Sequence, residues 1–467
     1  MSEELKRANE IIFSKKPTKY KNNFHYDVPV GWMNDPNGPI EYNGEYHVFY
    51  QYMLDSYRNG ATHWAHVKTK DFLHWETLPI VLAPDMPYDF NGCWSGSSAI
   101  VDGKLYLLYT GNMLGSQHQC LAISDDGINF KKVDFNPVIG LDMLPEDSIE
   151  HSFRDPYIIK DKDSYYALIA NKDVVKDCGR VIVYSTTDWK NWNYLGTLFE
   201  DYRMADPGIC ECPSFTKIDG KDILLTSRNC VPTIGKQFRN FADCIAYIGK
   251  LDIENVSYQH DEGHLLDYGF DFYAAQFLNL KDRTVLISWL QMWETTYPTA
   301  EYGWVGSLSF PRDVRIVDNK IKQFPVKELD SYCEFVCEGS INNEISIEKR
   351  SLRIKIDAYG SRCGFDIIGT NGELKCYYDE ENGEIIMNRS GNIPNSVHRL
   401  MENTHERIYP CGKLDNIKFD VLIDESTVEV FINDGNAVMT STFYIEEAFI
   451  KLHTDLKLNY QIYEIKK

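Results

Sequence analysis

Three acidic residues stand in settings that suit catalysis. Asp35 lies in Trp32-Met33-Asn34-Asp35-Pro36-Asn37-Gly38, Asp155 in Phe153-Arg154-Asp155-Pro156, and Glu211 in Cys210-Glu211-Cys212-Pro213. A short carboxylate held by turn-forming Pro and Gly, beside an amide donor, suits nucleophilic attack. A longer Glu flanked by two thiols is expected to be desolvated, which raises its pKa and suits a general acid. Asp155, next to Arg154, is expected to stay ionised and to favour an oxocarbenium-like transition state. A retaining glycosidase needs two carboxyl groups about 5–5.5 Å apart. One attacks the anomeric carbon. The other protonates the leaving oxygen and then deprotonates water. For each acid the alternative is a structural ion pair, which Arg154 would serve equally well.

These acids are far apart in the chain, so repeated elements must bring them together. Five segments share one pattern: GEYHVFYQ from Gly44, GKLYLLYTG from Gly103, SYYALIAN from Ser164, GKDILLTSR from Gly220 and DRTVLISWL from Asp282. Each starts at a tight-turn signal and runs into Tyr, Val, Leu and Ile, with a period of about sixty residues. A second hairpin signature follows three of them: KTKDFLHW (Lys68–Trp75), SDDGINF (Ser124–Phe130) and STTDWKNW (Ser185–Trp192). Each repeat therefore reads as about four strands, with Trp75, Trp189 and Trp192 closing blades. Five such units arranged radially make a five-bladed β-propeller. A sandwich with chance spacing is the alternative.

The repeat also ranks the acids. Nine residues before each turn stand Asp35, Trp94, Asp155, Glu211 and Tyr273. In a propeller the first strand of every blade lines the central channel. Three carboxylates and two aromatics would then converge on one axial pocket. A core has no use for such a group, because mutual repulsion and desolvation both oppose it.

After about residue 320 the texture changes. Segments such as SLRIKIDAYG and FDVLIDESTVEVFINDGNAVMTSTFY alternate apolar with polar residues and break at Asp-Gly. The chain is thus expected to be all-β: a propeller over 1–330, with a short amphipathic helix in its first dozen residues, then an antiparallel β-sandwich over 340–467. Asp330–Asn343 reads as the linker.

Composition narrows the function. The chain has 467 residues, 43% hydrophobic and 25% charged, as a soluble protein of two or three domains would. Its formal charge of −21 excludes nucleic acid and anionic membranes as partners, and favours a neutral ligand or an anionic one met by a local basic patch. No apolar run reaches the roughly 18–20 residues of a membrane helix. Twelve cysteines occur without a C-x-x-C pair, which reads as reduced thiols rather than disulfides or zinc. His63 and His66, three apart on a strand, face opposite sides and hold no shared ion. No metal and no cofactor is expected. The opening MSEELKRANEIIFSKKPTKY lacks the apolar core of a secretory signal, so a cytoplasmic location is expected.

The motifs together resemble glycoside hydrolase family 32, the invertase type. W-M-N-D-P-N-G, R-D-P and E-C-P occur in the family's order. H-W-A-H at His63–His66, W-S-G-S at Trp94–Ser97, D-F-Y-A-A-Q at Asp271–Gln276 and S-T-V-E-V-F-I-N-D-G from Ser426 fit as well. The resemblance runs from about Phe24 to Tyr463. It implies a five-bladed propeller followed by a sandwich, a retaining mechanism and no metal. By motif, Asp35 becomes the nucleophile, Glu211 the acid/base and Asp155 the transition-state stabiliser. Trp32, Asn34, Gln51, Trp94, Ser95 and Arg154 become the fructosyl subsite.

The implied activity is exo-cleavage of sucrose, sucrose 6-phosphate or short fructo-oligosaccharides. A fructosyltransferase is one alternative, against which Trp32 and Asn34 in their hydrolase form weigh. A non-catalytic sugar-binding protein is another, against which the three acids weigh. Three positions depart from the family pattern. Cys210 and Ser214 flank E-C-P where Trp and Asp are common, and Asn59 stands where an aromatic is common. These departures bear on the leaving group rather than on the chemistry. The loops Asp55–Thr62 and Met86–Gly92 are expected to form a short rim, and Trp289 and Trp293 either wall the pocket or fill the core. Self-association, if any, is expected through the sandwich.

Overall fold

The computed structural model describes residues 2–14, 19–293, 295–391 and 405–467. Met1 and residues 15–18 of the N-terminal stretch lie outside them. Among the described residues the chain is almost entirely β, with one α-helix, Glu3–Ile12. Ser2 caps that helix by accepting from the Leu5 amide at 3.2 Å. The helix buries Ala8 and Ile12 against the outermost strand of the first blade.

Five antiparallel sheets follow, one per repeat. Their innermost strands are Gly31–Tyr42, Gly92–Val101, Ser148–Asp161, Cys210–Ile218 and Tyr273–Asn279. These strands contact one another in a ring, blade I to V and back to I. A five-bladed β-propeller is the result. Trp189 and Trp192 are buried between blades II and III, against Tyr106 and Tyr165, as blade-closing residues should be. The ring is sealed where Gly31–Trp32 pairs in parallel with Trp304–Val305, a two-residue strand that follows blade V in space.

Each innermost strand carries an irregularity of register at the same depth. The shifts fall between Met33 and Pro36, Trp94 and Gly96, Arg154 and Tyr157, Glu211 and Ser214, and Tyr273 and Gln276. A β-bulge bends its strand and re-aims the side chains beside it. Pro36, Pro156 and Pro213 sit at these bulges, where a missing N–H removes no ladder bond.

The sandwich has two six-stranded antiparallel sheets around one core that includes Phe365, Phe419 and Met439. It begins earlier than residue 340. Asp330–Asn343 is not a linker: Lys327–Tyr332 is a 3₁₀ turn and Cys333–Ile341 is the edge strand of the first sheet, paired with Lys457–Ile465. The misreading has a cause. The apolar Phe335 and Val336 of this strand face solvent, so it lacks the alternation of a half-buried strand.

Buried charges lock the two domains together. His25 lies 3.0 Å from Asp424 through Nδ1 and 3.1 Å from Glu429 through Nε2. Arg312 of blade V donates to Glu429 at 2.7 Å and to Asp267 at 3.0 Å. Burial opposes charge on His25, but the hydrogen bonds of Asp424 and Glu429 outweigh it and raise its pKa to about 9. A raised histidine stabilises fully below the unfolded value, about 6.5, and loses that contribution as pH rises through the folded value. Stability is therefore expected to carry a falling component between about pH 6.5 and 9 that His25→Asn abolishes. Denaturant midpoints across that range test it, and an identical slope in both proteins would contradict the assignment.

Candidate active site

The five bulges bring the three acids to one end of the propeller. Asp35 is 7% exposed and sits among donors from three blades. Ser95 Oγ of blade II donates to its Oδ2 at 2.7 Å, and Gln51 Nε2 to the same oxygen at 3.2 Å. Asn34 Nδ2 donates to Oδ1 at 3.2 Å and also to Gln51 Oε1 at 3.0 Å. Gln51 Nε2 also bonds Ser95 Oγ, which closes the group. Cys212 Sγ of blade IV reaches Asp35 Oδ2 at 3.5 Å.

The same thiol lies 3.6 Å from Asp155 Oδ2, so Cys212 stands between two carboxylates, and its single S–H serves one at a time. The Cys212 amide donates to Asp155 Oδ2 at 3.0 Å. Asp155 itself has φ of 61°, and its amide is held by Thr110 Oγ1 at 2.9 Å. A non-glycine residue in the left-handed region persists only where its surroundings over-determine it.

Arg154 does not serve Asp155 as expected. Its Nη2 donates to Glu211 Oε1 at 2.6 Å, while its Nε stays 3.9 Å from Asp155. Burial then dominates at Asp155, and the nearby Glu211 and Asp35 add to it, so its pKa rises to about 7 against the pull of Arg154. Burial likewise raises Asp35, with Glu211 adding and the Ser95 hydroxyl opposing. Charge on the two aspartates is thus opposed by their burial.

Glu211 also differs from expectation. Its neighbours along the strand are thiols, but its carboxylate meets polar donors: Arg154 on Oε1 and the Tyr273 hydroxyl on Oε2. Its side chain is 16% exposed, more open than either aspartate. Tyr273 O–H lies 3.5 Å from the Ser227 carbonyl as well. The repeat had placed Tyr273 at this depth without assigning it a partner.

The remaining expected residues gather here too. Trp94 is half-buried, with the Arg154 guanidinium 6.0 Å from its ring centroid. Trp32 is nearly buried and packs edge-on against Trp289, 6.1 Å between centroids. Trp289 is fully buried, whereas Trp293 is half-buried with its ring beside Arg58. Arg58 is one residue the sequence did not single out, because nothing in its loop repeats.

Chemistry rather than volume picks this site. A cavity of about 850 Å³ lies at the opposite end of the propeller and one of about 550 Å³ between the first sheet of the sandwich and Phe324–Pro325 of blade V, and neither includes these acids. Among the described residues, the grouping of metal-ligating type is Asp173, Cys178 and Glu200 in blade III. Asp173 is already paired with Arg180 at 2.9 Å, and Glu200 with Lys176.

Residues 25–325 match the glycosyl hydrolases family 32 N-terminal domain, and residues 333–459 match the family 32 C-terminal domain. The chain belongs to glycosyl hydrolase family 32. It is a glycoside hydrolase. A sucrose-6-phosphate hydrolase of Zymomonas mobilis is 31% identical over 92% of this chain and 86% of its own length. A raffinose invertase of Escherichia coli is 31% identical over 94% of this chain and 92% of its own length. Among solved structures, a Bombyx mori GH32 β-fructofuranosidase, determined as a mutant in complex with sucrose, aligns with a TM-score of 0.87 at 30% identity. That alignment covers 99% of this chain and 98% of that one. This family 32 chain has no helix, among its described residues, long and apolar enough to cross a membrane.

The carboxylates can be titrated directly. With ¹³C-labelled aspartate, one site carboxyl is expected to titrate near pH 7 and to vanish from the spectrum in Asp155→Asn. Ser95→Ala removes a donor that favours ionised Asp35, so the Asp35 midpoint is expected to move to higher pH. A midpoint that stays put or falls would refute the role of the hydroxyl.

Proposed function

We propose that this family 32 enzyme hydrolyses the β-fructofuranosyl bond of sucrose, sucrose 6-phosphate or short fructo-oligosaccharides, with retention. The observation that carries the proposal is the pairing of a buried, donor-fixed Asp35 with a more open Glu211 at one end of the propeller. The named relatives and the sucrose-bound neighbour support the substrate class.

In the first step the Asp35 carboxylate attacks the anomeric carbon of the fructosyl unit. The bond to the leaving sugar breaks as Glu211 gives its proton to the departing oxygen. A fructosyl ester on Asp35 results. Water then attacks the same carbon, Glu211 takes its proton, and Asp35 leaves. Two inversions give net retention. Ser95, Gln51 and Asn34 hold the attacking carboxylate in one orientation, which lowers the entropy to be lost in the attack. Asp155 in its ionised form accepts from sugar hydroxyls and favours the oxocarbenium-like transition state, an attraction that grows once the sugar excludes water. Trp32, Trp94 and Arg154 wall the fructosyl subsite.

The free thiols of all twelve cysteines support a reducing, cytoplasmic setting. The outward-facing Phe335 and Val336 on the sandwich's edge strand support self-association through that domain, which light scattering would measure.

Asp35→Ala and Glu211→Ala are each expected to lose several orders of magnitude in kcat with the fold intact by circular dichroism. Azide is expected to rescue Glu211→Ala in part, because a small nucleophile needs no general base to open the ester. Equal release of fructose and glucose from sucrose marks hydrolysis. Glucose in excess would mean fructosyl transfer, and neither sugar would mean binding alone. Near-normal turnover in Asp35→Ala would remove the nucleophile assignment.

A further inference from the structure

Both oxygens of Glu211 accept hydrogen bonds. Arg154 Nη2 donates to Oε1 at 2.6 Å, and the Tyr273 hydroxyl donates to Oε2. A guanidinium offers donors only, and its attraction for a carboxylate is in large part lost when the acid is neutral. Yet the acid step needs a proton on one of these oxygens, turned towards the departing sugar. One of the two contacts must therefore give way during the reaction.

The surroundings decide which one. Tyr273 is 1% exposed and packed into the wall of blade V, so Oε2 faces protein. The tyrosine O–H suits Oε2 in either state, because that oxygen is a carbonyl when the proton sits on Oε1. Burial and the charge of Glu211 hold the phenol well above its ordinary range, so the donor is not lost to ionisation. Arg154 stands on the more open side, its side chain 15% exposed and Trp94 beside it. Its Nη1 donates to the His151 carbonyl at 3.2 Å and to Gln117 Oε1 at 3.4 Å. The guanidinium is thus tethered through Nη1, while Nη2 is able to exchange Oε1 for a sugar hydroxyl. The other ionisable groups near Glu211 are Asp35 of blade I, Asp155 of blade III and the adjacent Cys212, and none of these carries a positive charge.

We propose that the two oxygens of Glu211 have separate keepers: Tyr273 stays on Oε2 as a positioning residue that fixes the carboxyl plane, while Arg154 leaves Oε1 for the fructosyl hydroxyls and lets that oxygen carry the proton. This rests on the proposed fructosyl hydrolysis. Glu211 takes the proton from solvent as Arg154 leaves. Oε1 gives it to the departing oxygen as the bond to the anomeric carbon breaks, and is a carboxylate oxygen again. In the second step Oε1 takes a proton from the attacking water. When fructose departs, that proton returns to solvent and Arg154 returns to Oε1. The substrate itself therefore arms the acid that cleaves it.

The test uses the full chain, Arg154→Gln and Tyr273→Phe. The substrates are sucrose and a nitrophenyl β-fructofuranoside, whose leaving group needs less help from an acid. The alkaline limb of kcat/KM reports the enzyme before binding, and that of kcat reports the complex. In the unsubstituted enzyme the kcat limb is expected about one pH unit or more above the kcat/KM limb, the size of one charge-assisted hydrogen bond. That gap should close in Arg154→Gln. Tyr273→Phe should lose about tenfold or more in kcat/KM on sucrose and much less on the nitrophenyl fructoside. Coincident limbs in the unsubstituted enzyme, or a gap that persists in Arg154→Gln, would overturn the proposal while leaving the hydrolysis standing. So would equal losses on both substrates in Tyr273→Phe, the mark of a merely structural tyrosine. The gap is read without Tyr273→Phe, so poor folding of that variant does not shield the proposal. Failure of the unsubstituted enzyme to release fructose from sucrose would remove the hydrolysis itself.

Discussion

The site at this end of the propeller depends on holding three carboxylates close together, two of them buried. Burial and the neighbouring acids both oppose charge on Asp35 and Asp155. The structure answers with donors drawn from every blade. Gln51 and Asn34 come from blade I, Ser95 from blade II, Arg154 from blade III, Cys212 from blade IV and Tyr273 from blade V. No single sheet supplies enough polar groups to hold the cluster. The radial architecture is therefore a means of surrounding a charge group from five sides, and the site exists only because the ring is complete.

The repeated bulge is what turns a ring of strands into a site. An unbroken strand would send alternate side chains towards the two neighbouring blades. Each bulge, at the same depth in all five blades, redirects one side chain to the axis. Where the bend is sharp the backbone enters the left-handed region, at Asp155, Cys212 and Ala274. These residues pay a conformational cost of about 1–3 kcal/mol each, which the packed blades on either side offset. The innermost strand of a blade is also an edge, so the prolines beside Asp35, Asp155 and Glu211 remove no sheet bond.

Much of this was legible in the chain. The turn signals spaced by about sixty residues named the blades, and counting back from each turn named Asp35, Asp155, Glu211, Trp94 and Tyr273 as axial. Those features are local, and local chemistry is what a sequence carries openly. Partner choice is not local. Arg154 and Asp155 are adjacent, yet adjacent residues on a strand diverge, so the guanidinium crosses to Glu211 in the next blade. The thiols beside Glu211 misled for the same reason, since their positions along the chain say nothing of what its carboxylate meets across the axis. The strand Cys333–Ile341 was read as a linker because its apolar groups face outward. Arg58 was invisible because a rim loop obeys no repeat, and only the fold shows which ring it covers.

The buried contacts between the two domains bear on how the molecule comes into being. The segment leading into the strand of Asp35 is fixed by Asp424, which accepts from the Phe24 amide at 2.9 Å across 400 residues of sequence. A ribosome delivers that segment long before its anchor. Until Asp424 has left the exit tunnel the segment before that strand lacks its anchor, and contacts of such long range are slow to form. A nascent chain thus carries Asp35 for a long stretch of synthesis without the partners that surround it in the folded ring. The arrangement around Asp35 is complete only once Asp424 fastens the segment before it.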